Sequence, residues 1–284
     1  AIDQVSVSGN LAISGSSVSV TVNNGEGTDI LVQNGGVLTM GVTSGGWSFS
    51  TDATWKVESG GTYIHNSTAG IATSMNSLTL DGGSNFIYLG SSSLTPVVSV
   101  AGRSYYNLSF LSSSGSWSRE LTGTNWTVNG KLTIGSGVTL SYYDDAVAAN
   151  GDIDNYGSFS TNNLTIVSGK VCTINSGSAM AVSGTLTNNA GSAGLVIEPG
   201  GSLIENNTGV AATVKRDISA GMWHLVSVPV TGATAGIFTD DYLQSWDETT
   251  AAWVEIYQIG TDLVPVKGYS LWPVAATSPG TYTF

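Results

Sequence analysis

A short template of apolar residues and glycines recurs along this chain and restricts its fold more than any other feature. In each copy, two apolar residues flank one variable residue. Two or three small or polar residues and a glycine follow, and then the same apolar pattern returns. Copies begin at Ile30, Trp55, Leu132, Leu164 and Leu195. The interval from Ile30 to Trp55 and the two nearly equal intervals that separate the last three starts lie within the range of roughly 20 to 50 residues that is typical of solenoid repeats.

A second phrase lies in or beside the same modules. It consists of a valine, a serine or asparagine, a glycine, any residue and a leucine, and it begins at Val7, Val128 and Val182. The recurring unit is therefore a whole module and not a single pair of strands.

Each apolar pair has the two-residue period of a strand with one buried face. Glycine permits the bends between strands, because it adopts positive φ without steric cost. Strands and bends of similar length predict a coil whose turns pair in parallel about 4.8 Å apart, with equivalent inward side chains stacked on one another. Parallel crossovers are right-handed in about 98% of cases, so we predict an all-β, right-handed parallel β-helix for residues 1–216.

At about 24 residues per turn this solenoid has roughly nine turns and a length of ~43 Å. Leu132, Leu164 and Leu195 are expected to stack vertically. The alternative is an antiparallel sandwich, because Asn-Gly pairs such as Asn34-Gly35, Asn129-Gly130 and Asn150-Gly151 are also hairpin signals. The recurrence of the whole module favours the solenoid.

The sequence pattern changes at about Asp217. The glycine repeat stops, and four of the eight tryptophans lie beyond this residue. Residues 217–284 are predicted to form a small antiparallel β module or C-terminal cap. The stretch from Gly280 to Phe284 is expected to be a strand, and we expect the parent protein to be longer.

Charge and composition exclude several classes of function. The net charge is −12 and the chain has eight basic residues, so its surface repels nucleic-acid phosphates and anionic membranes. No apolar run approaches the ~18 residues of a transmembrane helix, so we expect no membrane insertion. Cys172 is the single cysteine, which excludes a disulfide framework, and its strand phase matches that of Ile174, which predicts a buried thiol. The abundance of Ser, Thr and Asn favours a secreted or cell-surface protein.

Two stretches resemble known surface proteins. The first, SYYNLSFLSSSGSWSRELTGTNWTVNGKLTIGSGVTLS from Ser104 to Ser141, resembles the β-helical repeats of large Bacteroidota surface proteins. The second, which includes MWHLVSVPV, LQSWDETTAAWVEIY and VKGYSLWP, resembles the β-rich module that often follows those repeats in substrates of type IX secretion. The chain has Val266 where that module is expected to have glycine, and it lacks the sorting tail. The resemblance implies an adhesin-like secreted or surface protein, without catalytic residues to carry over.

Parallel β-helices also include polysaccharide lyases and glycoside hydrolases, so an enzyme is the second hypothesis. Glycoside hydrolysis requires two carboxyl groups about 5 to 9.5 Å apart. Asp144, Asp145, Asp152 and Asp154 are the candidate catalytic residues, whereas the alternative is that they stabilise turns in a solvated loop. A lyase would also need a basic residue, and Lys131 is among the few nearby.

Calcium is the one cofactor that the sequence suggests, since carboxylates and backbone carbonyls are its usual ligands. The same aspartates, Asp144, Asp145, Asp152 and Asp154, form one candidate site. The second candidate site consists of Asp240, Asp241 and Asp247. Acidic loops without any ion are the alternative for both.

Exposed aromatic side chains could bind glycans by stacking. The candidates in the repeat region are Trp47, Tyr105, Tyr106, Trp117, Tyr142 and Tyr143. Neighbouring residues in a strand point to opposite faces, so one tyrosine of each adjacent pair is expected to be exposed. Large aromatic residues also fill cores, which is the alternative for each of them.

These observations favour a non-enzymatic surface protein, a β-helical stalk with a β-rich module that adheres to a glycan or protein on another surface. The alternatives are a carbohydrate-active enzyme and a subunit of an extracellular fibre. A fibre would form by end-to-end self-association, because the ends of a solenoid expose unpaired strand edges.

Overall fold

The alternating apolar residues form short strands throughout the chain. The computed structural model describes residues 2–70, 78–124 and 126–284, and for residues 145, 146 and 148 it describes the backbone alone. In the first half of the chain the strands are β1 (Val5–Val7), β2 (Asn10–Gly15), β3 (Val18–Val22), β4 (Ile30–Val32), β5 (Val37–Val42), β6 (Gly45–Phe49), β7 (Trp55–Val57), β8 (Thr62–His65), β9 (Leu78–Leu80), β10 (Asn85–Gly90), β11 (Ser104–Tyr105), β12 (Asn107–Ser112), β13 (Trp117–Leu121), β14 (Thr127–Val128) and β15 (Leu132–Ile134).

The second half continues the same pattern before it changes. Its strands are β16 (Val138–Ala149), β17 (Ile153–Asn155), β18 (Ser158–Ile166), β19 (Cys172–Ile174), β20 (Ala179–Val182), β21 (Leu186–Asn188), β22 (Leu195–Ile197), β23 (Ser202–Glu205), β24 (Thr213–Asp217), β25 (His224–Val226), β26 (Tyr242–Asp247), β27 (Ala252–Glu255), β28 (Tyr269–Trp272) and β29 (Thr281–Thr283). The helices of the described ranges are two 3₁₀ helices, Ser192–Gly194 and Ala235–Phe238. Neither has the length or apolar character needed to cross a bilayer.

One long sheet organises the solenoid. Its strand order is β2-β5-β8-β10-β12-β15-β17-β19-β22-β24-β29, and each pairing from β2 to β24 is parallel. Nine parallel steps at about 4.8 Å give a sheet ~43 Å long. Other sheets flank it, with the orders β1-β4-β7-β9, β3-β6 and β11-β14-β16-β18-β20-β23. The chain is therefore the parallel β-helix that the repeats predict, not an antiparallel sandwich.

Equivalent inward side chains stack on one another along the long sheet. One column of paired and fully buried residues runs through Leu38, Tyr63, Phe86, Leu108, Leu132, Ile153, Cys172 and Leu195. A second column, two residues further along each strand, includes Met40, His65, Tyr88, Phe110, Ile134, Asn155 and Ile174. Burial of each large apolar side chain contributes roughly 1.5–3 kcal/mol, so these columns are the main source of solenoid stability.

The predicted alignment of Leu164 is wrong. Leu132 and Leu195 share a column but are three coils apart, whereas Leu164 lies in β18 and pairs with Val147 and Leu186. The template marks two strands around a glycine corner, and each coil has more than one such corner. The copy at Leu164 enters the long sheet, while the copies at Leu132 and Leu195 leave it. The interval between Ile30 and Trp55, in contrast, is one coil, because these two residues pair directly.

Glycines form the corners between faces and stack from coil to coil. Gly35, Gly60 and Gly83 occupy successive corners with φ of 76°, 76° and 95°. The amide of Gly35 donates to the carbonyl of Gly60 at 3.2 Å, and the amide of Gly60 donates to that of Gly83 at 3.0 Å. Asn-Gly pairs are also corners here and not hairpin turns, since Asn150 Nδ2 donates to Asn129 Oδ1 of the preceding coil at 2.9 Å.

The C-terminal residues build an antiparallel sheet with its own core. The strand order is β25-β28-β26-β27, and every pairing is antiparallel. Its inner face contributes Leu243, Tyr269 and Leu271 to a second apolar cluster with Phe238 and Tyr282. The last strand, β29, returns to the solenoid and pairs antiparallel with β24.

Candidate functional site

The predicted acidic site in the solenoid is divided between different sheets and partners. Asp144 lies in β16, and its Oδ2 accepts a hydrogen bond from the Gly123 amide at 2.7 Å. Asp152 Oδ1 accepts from the amide of Val171 at 3.0 Å, on the neighbouring coil. These two carboxylates cap backbone amides, as expected of aspartates that stabilise turns.

Asp154 is paired with a cation. Its Oδ2 lies 2.7 Å from Lys131 Nζ, and this hydrogen bond and the negative charge raise the pKa of Lys131. Asp152 directly precedes β17 and Asp154 lies in it, two residues further on, so their side chains are on the same side of the strand. The side chain of Asp145 lies outside the described residues. Catalysis by this region therefore stays a hypothesis.

The second predicted acidic site is not one cluster. Asp241 and Asp247 lie at opposite ends of β26, about 20 Å apart at the rise of a strand. Asp241 accepts hydrogen bonds from the Val274 amide at 2.8 Å and from the Tyr282 hydroxyl at 2.6 Å. Burial and then this bond raise the pKa of Tyr282 to about 12. Asp240 precedes Asp241 at the near end of β26, so it does not join Asp247.

Asp247 instead closes the turn between β26 and β27. Its Oδ1 accepts from the Thr249 amide at 2.8 Å, and this bond, followed by a bond from Thr250, lowers the pKa of Asp247. In the described part of the chain, no three His, Cys, Asp or Glu side chains come together as a metal site. Calcium binding stays a prediction.

The adjacent tyrosines of the solenoid divide between core and surface as their strand phase predicts. Tyr105 and Tyr142 are fully buried, whereas Tyr106 is 38% exposed and Tyr143 is 48% exposed. Trp117 is also buried, and its indole nitrogen donates to the carbonyl of Leu111 at 2.8 Å. Tyr105, Tyr142 and Trp117 are therefore core residues and not glycan contacts, because a sugar cannot reach them. Tyr106 and Tyr143 stay candidates.

Trp47 is a core residue as well, and it begins a buried polar chain. Its indole nitrogen donates to the Tyr63 hydroxyl at 3.1 Å, and this hydroxyl lies 3.1 Å from His65 Nδ1. Burial lowers the pKa of His65 to about 4, so the imidazole is neutral at physiological pH. The group is enclosed by aromatic rings, among them Tyr88, 5.7 Å from His65 between ring centroids. This arrangement supports packing and offers no access for a substrate.

The outer face of the C-terminal sheet carries the largest group of exposed aromatic side chains among the described residues. On this sheet Leu243 and Leu271 face the core, so their strand neighbours Tyr242 and Trp272 face outward. Tyr242 and Trp272 pair directly across β26 and β28. The Trp223 ring, just before β25, lies 5.6 Å from that of Trp272 in an edge-to-face arrangement.

A second aromatic pair lies further along the same face. Trp246 and Trp253 lie opposite each other on β26 and β27, with ring centroids 5.5 Å apart and an interplanar angle of 70°. Between the two pairs is a middle row in which the exposed Leu225, the buried Ser270, Gln244 and Glu255 pair in that order across four strands. We name this surface the aromatic face and define it by the side chains of Trp223, Leu225, Tyr242, Gln244, Trp246, Trp253, Glu255, Ser270 and Trp272.

Comparison with models of protein families, with curated proteins and with solved structures finds no match.

The sequence signal for the aromatic face is the concentration of tryptophan near the C-terminus, whereas the glycan-binding candidates predicted from the sequence lie in the solenoid. Half of the tryptophans occur after Asp217, and Trp246 and Trp253 flank the polar segment DETTAA. A turn in that segment places them on paired strands. Only the register of the hairpin, which the sequence leaves open, shows that both rings point away from the core.

A cleft of about 760 Å³ lies where the last coil meets the module. Val210, Pro229, Val230 and Phe284 supply part of its apolar lining. Glu205 is the one ionisable side chain among its described lining residues, and its carboxylate accepts a hydrogen bond from the Asn207 amide. A single carboxylate does not supply the acid and base that hydrolysis of a glycosidic bond needs.

Proposed function

We propose that this chain is a non-enzymatic structural protein of the cell surface, in which the solenoid is a rigid spacer and the C-terminal module is the adhesive part. Its place outside the cell, and its relation to the adhesin-like surface proteins of the Bacteroidota that use type IX secretion, belong to this proposal. The composition and the sequence resemblance support both.

The uninterrupted core of the solenoid is the observation that carries the proposal. Along the long sheet, buried side chains pair from coil to coil without a gap from Leu38 to Leu195. A core that is closed in this way resists bending, because each coil is held by its two neighbours. The described carboxylates of the candidate acidic site in the solenoid cap amides or pair with lysine, which are structural roles.

Two measurements on the purified chain test the proposal. Electron microscopy is expected to show single short rods, with a solenoid ~43 Å long, while filaments would favour the fibre subunit and its end-to-end self-association. Incubation with acidic and neutral polysaccharides is expected to release neither new reducing ends nor unsaturated products.

An enzymatic function would replace the proposal if cleavage were seen and were abolished by Asp152→Asn. Asp52→Asn is the matched control, because Asp52 is an exposed aspartate in a different corner of the solenoid. Cleavage lost in the first variant and retained in the second would assign the activity to the region from Asp144 to Asp154.

A further inference from the structure

We propose that the aromatic face binds a neutral polysaccharide chain. This inference rests on the surface role proposed above and adds to it a site and a class of ligand. Electron microscopy can confirm the rod, and the polysaccharide incubation can confirm that nothing is cleaved, even if glycan binding fails. The two proposals can therefore be separated by experiment.

Exposure is the first observation. Trp223, Tyr242, Trp246 and Trp253 are 50%, 57%, 38% and 43% exposed, and all four belong to one face of one small sheet. Large aromatic side chains that are grouped in this way on a surface mark binding sites, whereas scattered ones do not. A flat sugar ring presents C–H bonds on its face, and these pack against aromatic rings, while its hydroxyls point outward from the edge.

The spacing of the aromatic groups suits an extended ligand. Tyr242 and Trp246 are four residues apart on β26, which is about 13 Å along a strand. The first group thus lies at one end of the face and the Trp246–Trp253 pair at the other. A ligand that contacts both must span more than one sugar ring, which favours a polysaccharide over a monosaccharide.

The rings are also held in place before a ligand binds. The contacts between Trp223 and Trp272 and between Trp246 and Trp253 are edge-to-face, the geometry that aromatic pairs prefer. Side chains that are already ordered lose little conformational entropy on binding, which favours affinity.

Two polar side chains of the middle row, Gln244 and Glu255, favour a glycan over a protein partner. Gln244 and Glu255 lie in the middle of the face, between the aromatic groups. Protein–protein interfaces are depleted of charged residues in their centre. Sugar hydroxyls, in contrast, donate to a carboxylate and exchange hydrogen bonds with an amide, so they satisfy both side chains.

Charge selects a neutral glycan. Residues 217–284 contain seven carboxylates and one lysine, Lys267. Lys267 lies 5.6 Å from the ring centroid of Tyr269, whose buried side chain belongs to the inner face of the sheet. Chains of uronic acids or sulfated sugars would meet this acidic surface without a cation to pair with, so they are expected to be repelled.

Affinity electrophoresis and titration calorimetry with β-glucan, xylan and glucomannan test the inference, with polygalacturonate as the acidic comparison. We expect binding to at least one neutral chain and none to polygalacturonate. Trp253→Ala and Trp223→Ala remove one ring at each end of the face, and each is expected to weaken binding about tenfold or more.

Tyr156→Ala is the matched control, since Tyr156 is an exposed aromatic residue of the solenoid that lies outside the aromatic face and is not a glycan-binding candidate. It is expected to leave affinity unchanged. Both tryptophans are near the surface and Trp253 is on an edge strand, so the variants should fold, and thermal unfolding verifies this. Should either fail to fold, quenching of tryptophan fluorescence by the ligand in the unmodified chain serves as the second readout.

Three results would overturn the inference. The first is a lack of binding to every neutral polysaccharide, and the second is binding that both tryptophan variants retain. The third is a change in sedimentation of the variants without loss of glycan binding, which would identify the face as a contact between copies of the chain.

Discussion

His65 Nδ1 and the hydroxyl oxygen of Tyr63 lie 3.1 Å apart inside the solenoid, where both side chains are buried. Successive aromatic rings of the core enclose this pair, so it is shielded from water. A neutral imidazole is compatible with that position, whereas a charged one would lose its hydration.

The first prediction concerns stability and pH. Burial lowers the pKa of His65 from 6.5 to about 4 in the folded chain. On acidification, His65 is therefore protonated first in the unfolded chain. The contribution of the neutral imidazole to the free energy of unfolding is complete above pH 6.5 and is lost as the pH falls from 6.5 to about 4. The full effect is about 3 kcal/mol.

Denaturant unfolding at pH 7 and pH 4.5 measures this change. The side chain of the His65→Gln variant cannot be protonated. Its loss of unfolding free energy between pH 7 and pH 4.5 is therefore expected to be smaller than that of the unmodified chain by most of about 3 kcal/mol. An equal loss in both proteins would show that other groups govern the acid sensitivity.

The second prediction concerns Asp29, a fully buried carboxylate. Its Oδ1 accepts from the Gly25 amide at 2.7 Å, and its Oδ2 accepts from the Thr54 amide at 2.6 Å. Burial alone would raise its pKa, but the hydrogen bonds from Thr54 and Gly25 outweigh burial and lower it. Asp29→Asn replaces an acceptor with a donor and is expected to cost about 1–3 kcal/mol.

Thermal unfolding of Asp29→Asn and of Asp52→Asn separates this role from a general charge effect. Asp52 is exposed, and its φ of 67° is one that asparagine tolerates, so the control should be nearly neutral. Because the lowered pKa stabilises the fold above pH 3.8, the deficit of Asp29→Asn should shrink as the pH falls below that value.

The third prediction separates two reasons for glycine at the corners. A Cβ at Gly151 would lie 1.2 Å from the carbonyl oxygen of Gly130, on the coil before it. A Cβ at Gly177 would meet nothing within 4 Å, but the φ there is 73°. Gly151→Ala is expected to cost more than about 3 kcal/mol, since backbone must move, and Gly177→Ala about 1–2 kcal/mol.

Unfolding curves of the two variants give the comparison. Equal costs would mean that the coils separate easily at Gly151, which is inconsistent with close packing of one corner on the next.

The fourth prediction uses Cys172 as a reporter of the core. Its side chain is fully buried, and burial raises the pKa of its thiol to about 12. The thiol is expected to react with an aromatic disulfide reagent only after unfolding, since the thiolate is the reactive form. Ser168→Cys supplies an exposed thiol for comparison. Fast labelling of Cys172 in the folded chain would contradict the stacked column in which it lies.

The type of strand and its inward phase follow from the sequence, but the length of each coil does not. Tyr105 is buried and Tyr106 exposed as their alternation predicts, and Cys172 is buried with Ile174. The coil that runs from Leu132 to Ile153 is longer than the next one, which ends at Cys172. Corners absorb the difference, so spacing alone misplaces a copy of the template such as Leu164.

The candidate sites show a similar limit. An aspartate that caps an amide and one that holds a metal ion have the same sequence signal, and only their partners distinguish them. Asp241 is occupied by Val274 and Tyr282, which lie on later segments of the chain, beyond β27 and β28. The outward direction of Trp246 and Trp253 likewise depends on a hairpin register that composition does not fix.

Because β29 pairs with β24, the whole C-terminal module is an insertion between two adjacent strands of one sheet. Both ends of this insertion are fixed to the solenoid by the pairing of Lys215 with Thr283, Arg216 with Tyr282 and Asp217 with Thr281. A different module inserted between the same two strands is expected to leave this pairing, and the solenoid, in place. This arrangement lets the inserted module change in sequence while the solenoid that carries it stays the same.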